Sequence, residues 1–187
     1  RHALFVQPAN AGIAMTLGTL ALQADQHNLA QEFWDHSLKY SEQFRPAMLD
    51  NALNHWSMED AMALFGPRNY TECVEAARNA IDHIQRKEFW NQAEKFWNEL
   101  PKPQDESTNS LRASHLVATN RMDEAVKWLQ QCMKADGDNL LLTRDLARLL
   151  EKQQLYKSSL EQWYRIQFLV PGDREADEAI NRIRDIK

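Results

Sequence analysis

The feature that most constrains this chain is that part of it repeats. Residues 106–139 align with residues 140–173 without a gap, a period of 34 residues. In that register Met122 falls on Tyr156, Leu129 on Trp163 and Gly137 on Pro171. Each block reads as a helix, a short polar turn and a second helix. The turns fall at Thr119-Asn120-Arg121 and Lys152-Gln153-Gln154. One helix pair cannot bury its apolar face alone, so a period of this length implies stacked pairs.

Apolar spacing of three and four supports helix on both sides of the turns. One set is Met122, Ala125, Val126, Trp128, Leu129, Cys132 and Met133; another is Leu155, Tyr156, Leu160, Trp163, Ile166 and Val170. Strand-like alternation of useful length is absent from the sequence. Five glycines and six prolines are too few for a loop-rich β protein. Hydrophobic residues at 43% and charged residues at 26% are near the globular average and disfavour a disordered chain. The 187 residues suit one domain or a short repeat array.

The period and the residues that carry it resemble the tetratricopeptide repeat family. In 140–173, Leu146-Ala147 stands for the family's Leu-Gly pair, Tyr156 for the aromatic opening the second helix, and Pro171 for the terminal proline. Trp163 fills the large apolar place, while Ser159 sits where the family prefers Ala. Block 106–139 matches through Ala113, Ala125 and Leu129, with Gly137 where Pro is usual. Block 11–44 matches through Leu17-Gly18, Ala30, Trp34 and Ser37-Leu38, with Ala21 and His27 replacing the usual aromatics. The resemblance implies an all-α, right-handed superhelical solenoid of antiparallel helix pairs. It is read as one domain, 1–187, with repeats at about 11–44, 54–87, 106–139 and 140–173.

The stretch 45–105 departs from the pattern. Pro46 opens a helix through Leu49, Leu53 and Trp56. Ser57 with Asp60 resembles a capping box before Met58–Phe65, and Asn69 with Glu72 a second one. The latter predicts a helix through Cys73, Ala77, Ala80, Ile81 and Ile84. Arg86-Lys87-Glu88 reads as a break, Phe89–Leu100 as another helix, and Pro101–Ser107 as the longest linker and the expected hinge. At the other end, 174–186 reads as a capping helix with the apolar line Ala176, Ala179, Ile180, Ile183 and Ile186.

Net charge is −5, with fourteen acids against nine Lys+Arg in 1–105 and thirteen of each in 106–187. No basic stripe exists, so a nucleic-acid partner is not expected. The longest apolar stretch, 11–22, is too short to span a membrane. The chain opens at Arg1 without Met or a signal-peptide pattern, as expected of a piece of a longer protein, and the cytoplasm is the favoured compartment. Cys73 and Cys132 read as small core hydrophobes.

Nothing points to catalysis, a cofactor or a metal. The six histidines form no HxxH, HExxH or Cys/His cluster, and the nucleotide and nucleophile-elbow glycine motifs are missing. Paired acids such as Glu59-Asp60 and Asp123-Glu124 sit in first helical turns, where the helix dipole accounts for them. Members of the resembled family bind partners along the first helix of each pair. The resemblance therefore implies a protein-interaction module or scaffold for a protein or peptide. Its groove would include Met15, Thr19 and Leu22, then Ser107, Ser110, Ser114 and Val117, then Leu141, Arg144, Arg148 and Glu151. Arg144 and Arg148, four apart, are placed to grip an acidic peptide or a C-terminal carboxylate. Some family members clamp that carboxylate with a Lys/Asn set, which Arg144-Asp145 and Arg148 do not reproduce. Trp90 and Trp97, seven apart like Phe89 and Phe96, make two aromatic pairs. One is expected in the core, and the other on the linker or exposed to a partner. Two other readings stand beside the scaffold: a substrate-presenting domain of a larger enzyme, and a self-associating structural array forming a homodimer.

Overall fold

The structure is a computed structural model and describes residues 10–102, 104–135 and 137–186. It divides into two compact units, one ending at Gln92 and one starting at Ala93. Secondary structure among the described residues is entirely helical. The first unit holds α1 (Ala11–Gln23), α2 (His27–Tyr40), a 3-10 turn (Glu42–Phe44), α3 (Arg45–Leu53), α4 (Met58–Phe65), α5 (Tyr70–Asn79) and the start of α6 (His83–Glu99). The second holds the end of α6, then α7 (Glu106–Ala118), α8 (Met122–Ala135), α9 (Leu140–Lys152), α10 (Tyr156–Leu169) and α11 (Arg174–Arg184).

Helix ends in the regular parts are set by single residues that recur in register. Asp105, Asn139 and Asp173 precede α7, α9 and α11, and Asn10 holds the same place before α1. Each side chain accepts the backbone N–H three residues on, at 2.7 to 3.0 Å. This satisfies one of the amides that a helix start leaves without a partner. The far ends are equally regular. Asp25, Asn120 and Gln154 take left-handed backbone angles, φ 58, 62 and 61°, at the same place in their blocks. The next amide then reaches back into the helix, from Gln26 to Ala21 (2.9 Å), Arg121 to Leu116 (2.7 Å) and Leu155 to Leu150 (2.9 Å). These are Schellman closures, built without glycine.

Between the helices of a pair, a small residue faces a large one. Gly18 lies so close to Trp34 that a Cβ there would sit 2.2 Å from the indole Cδ1. The indole N–H donates to the Met15 carbonyl at 3.2 Å. Ala113 with Leu129, and Ala147 with Trp163, hold the same register places and are buried. Ala30, Ala125 and Ser159 share the next small-residue place and are fully buried. Ser159 is tolerated there because its hydroxyl donates to the Ala147 carbonyl at 2.9 Å. Two cores result in the second unit. Leu116, Leu129, Leu142, Leu146 and Leu150 centre one, and Trp163, Ile166, Ile180 and Ile183 the other.

The irregular stretch corrects the reading of its sequence. α5 stops at Asn79, and Ile81 and Ile84 are exposed instead of buried. No break occurs at 86–88, because α6 runs unbroken from His83 to Glu99. Two side chains cause the shift. Asp82 accepts the amides of Ile84 and Gln85, both at 2.9 Å, and so starts α6 early. Arg86 turns back to the Ala80 carbonyl at 2.6 and 3.1 Å and so closes α5. Trp56 lies in a turn after α3, tilted against Trp34 and Phe65 with centroids 5.8 and 5.7 Å away. Ser57 and Asn69 cap their helices as expected: Ser57 Oγ accepts the Asp60 amide, and Asn69 Oδ1 the Glu72 amide. Phe89, Trp90 and Trp97 are buried and Phe96 half-buried, so these aromatics form no exposed patch. In α11, Ala176, Ala179, Ile180 and Ile183 are buried as read, while Ile186 lies past the helix and is exposed.

Two substitutions test this packing in urea unfolding. Gly18→Ala should lower stability by about 1–3 kcal/mol, because Trp34 has to move. Gln154→Gly should raise it by roughly 1 kcal/mol, because the left-handed residue loses its Cβ.

Candidate functional site

The first helices of the second unit carry the arginines singled out by spacing, and the structure gives them partners. Arg144 on α9 places Nη2 2.5 Å from Asp173 Oδ2 and Nε 3.2 Å from Glu175. Arg148, one turn on, bonds Glu175 through Nε and Nη2 at 2.7 and 2.9 Å. Arg182 of α11 returns the contact to Glu151 of α9 at 2.8 Å. On the other side of α9, Asp145 accepts the hydroxyl of Ser110 from α7 and lies 3.7 Å from Arg148. Burial pushes the Asp145 carboxyl above the usual range, although Ser110 and the two arginines pull it down. A polar band thus crosses α7, α9 and α11.

Ser114 and Val117 are half-buried on α7, and Val117 packs against the leucine core. Leu22, read as a groove residue, is buried in the core beside Ala21, while Leu20 and Gln23 take the outer side of the same turn. Trp90 and Trp97 are 8% and 3% exposed and offer little surface to a partner. Trp97 is enclosed by Trp128, edge-on at 5.2 Å, by the Lys102 ammonium at 4.1 Å and by the Arg112 guanidinium at 4.9 Å.

The spacing argument missed the acids. Asp173 both caps α11 and holds Arg144, and Glu175 opens α11. The recurring Asx before each first helix was the legible signal for Asp173. Glu175 had none, because its role depends on how α11 lies beside α9.

A second cluster also went unread. Arg112 stands where Leu17 and Leu146 stand in their blocks, yet it is 5% exposed. It grips Glu94 with both terminal nitrogens, at 2.6 and 2.8 Å. That two-nitrogen grip makes the buried guanidinium tolerable, and Arg121 adds a contact to the same carboxylate at 3.2 Å. Arg112 also meets His115 Nδ1 at 3.2 Å. A guanidinium only donates, so Nδ1 accepts and the ring proton sits on Nε2, 3.7 Å from Glu94. The bond from Arg112 holds the Glu94 carboxyl at about 2. Burial first, and then the Arg112 charge, push His115 down to about 4. This cluster ties α6 to α7.

Cys73 is buried and Cys132 half-buried, and both thiols are free. Burial, helped by Glu72, pushes the Cys73 thiol up to about 12, and burial also raises Cys132. Among the described residues no three His, Cys, Asp or Glu side chains are placed to hold a metal. His2 lies outside the described residues. Among those residues no helix is long and apolar enough to cross a membrane.

Paired helices with recurring caps, small-to-large packing and a polar-backed last helix define a tetratricopeptide-type helical-repeat fold. No family model matches the chain, and no curated protein matches it in sequence. Solved structures do match. TTC0263, a thermophilic TPR protein of Thermus thermophilus, aligns with a TM-score of 0.52 at 16% identity. The match covers 93% of this chain and 98% of that one. YrrB, described as a TPR protein with an unusual peptide-binding site, aligns over 99% of this chain and 81% of its own, at 13% identity and a TM-score of 0.44. The first match establishes the fold.

The buried cluster makes stability pH-dependent with a definite sign. His115 is neutral in the fold and titrates at its ordinary 6.5 when unfolded, so the unfolded chain binds the extra proton. Stability should therefore fall as pH drops from about 6.5 to about 4, and Glu94 extends the loss from 4.5 towards 2. Urea midpoints measured from pH 7 to pH 4.5 should decline, and His115→Gln should flatten the upper part of that decline.

Proposed function

We propose that the chain is a protein-interaction module. It would bind a protein or peptide along the first helices of its pairs and perform no chemistry of its own. The observation that carries this reading is the polar band across α7, α9 and α11, where Ser110, Arg144, Arg148 and Glu151 lie around one accessible ion pair, Arg148 with Glu175. Arg148 and Glu175 are each about half exposed. An ion pair that accessible contributes little to stability, so a partner's carboxylate can replace Glu175 at small cost. Ser114 and Val117 would flank the bound segment on α7. Trp97, enclosed by Trp128, Lys102 and Arg112, would act by holding α6, α7 and α8 together and make no contact itself.

The repeat boundaries that go with this reading are 11–44, 106–139 and 140–173, with 174–186 as the cap. For the irregular stretch, the packing of α3 against both α4 and α1 favours α3 with α4 as a short pair. A block at 54–87 would instead pair α4 with α5.

The test is an affinity pull-down with the purified chain, read by mass spectrometry, comparing wild type with Arg144→Gln/Arg148→Gln. Neutral substitutions are needed, since a new acid beside Asp173 and Glu175 would loosen α11. Partners held by wild type and depleted about tenfold by the variant would place binding at the arginines. Partners retained in full would rule the band out.

A further inference from the structure

The first unit contains a cleft of about 570 Å³ walled by α3 and α5. Its floor is apolar: Pro46, Leu53, Pro67 and Ala76 keep exposed surface there, while Leu49, Phe65 and Phe89 line it as buried residues. Four carboxylates and two guanidiniums line it. Both guanidiniums are spent on one acid. Arg45, 6% exposed, sets Nε and Nη2 2.7 and 2.6 Å from Glu42 Oε2 and reaches the Leu64 carbonyl at 3.3 Å. Arg68 takes the other Glu42 oxygen at 3.2 Å. Glu72 is occupied by the Arg68 amide at 2.8 Å and the Asn69 side chain at 2.6 Å. That leaves Asp50 on the α3 wall and Glu75 on the α5 wall. Both are exposed, and neither has a cationic partner among the described residues.

An apolar floor between two uncompensated carboxylates selects a cation that carries its own apolar surface. We propose that this cleft docks a basic amphipathic segment of a partner protein. Its apolar side chains would descend onto Pro46, Leu53, Pro67 and Ala76, while Lys or Arg residues meet Asp50 and Glu75. A helix laid in a groove presents that pattern, with anchors on one face and charges along its edges. The sign is opposite to that of the acidic ligand suggested by Arg144 and Arg148. This inference rests on the interaction-module reading and adds a second, cation-selective surface to it.

The probes are a small panel of fluorescein-labelled Leu/Lys helical peptides and the same sequences with Glu for Lys. Anisotropy is read at low and high salt on wild type, Asp50→Asn/Glu75→Gln and Arg144→Gln/Arg148→Gln, each confirmed folded by far-UV circular dichroism. The Leu/Lys peptides should bind wild type, weaken with salt and weaken about tenfold on Asp50→Asn/Glu75→Gln. They should bind the arginine variant as they bind wild type. Absence of Leu/Lys binding, or binding indifferent to the loss of Asp50 and Glu75, overturns the proposal. Binding of only the Leu/Glu peptides, lost in the arginine variant, overturns it while sustaining the band on α7, α9 and α11. Failure of both sets, together with an empty pull-down, would overturn both.

Discussion

A large side chain can enter between two helices only where the opposite helix withdraws its own. Trp34 depends on Gly18 in this way, and Trp163 occupies the same register place opposite Ala147. That meeting requires the small residue and the large one to arrive at the same height, which requires the first helix to have a fixed length. The caps supply the length. Asn10, Asp105 and Asn139 start the first helices, and Asp25, Asn120 and Gln154 end them by turning the backbone left-handed. Local chemistry at two residues per block therefore sets the register for the long-range packing, and the two levels agree.

This agreement explains what the sequence discloses. Blocks 11–44, 106–139 and 140–173 are legible because the residues that pack are also the residues that recur. The middle is less so. Ile81 and Ile84 continue an apolar spacing that reads as a buried stripe, yet Asp82 and Arg86 end one helix and begin another between them. An arginine reaching back six residues leaves no periodic trace. The candidate site was half legible. Spacing located Arg144 and Arg148 but not the acids that hold them, which lie on the next first helix. Trp90 and Trp97 share a face by spacing alone, and spacing does not say whether that face meets water. Arg112 could have been found as a charge standing in a leucine's place.

The distribution of satisfied charge reverses the impression given by composition. The second unit has the arginines that attract attention, and there they are knitted to Asp173, Glu175, Glu151 and Glu94. In the first unit Glu42 absorbs two cations, and the acids left over face open solvent beside an apolar floor. Counting charges by stretch predicts the sign of an average field. Which charges remain available for recognition depends on the pairing, and pairing is a property of the fold.

The two free thiols fall one in each unit, Cys73 in α5 and Cys132 in α8. Only a thiolate attacks an alkylating reagent, and Cys73 is both enclosed and held near 12, so it is inert while its helix stays packed. Cys132 is half-buried against the leucine core, and burial raises its thiol as well, though less of it is enclosed than of Cys73. The chain therefore carries its own pair of chemical clocks. Modification of Cys132 would report on loosening of the second unit, and modification of Cys73 on opening of the first, with no engineered label required.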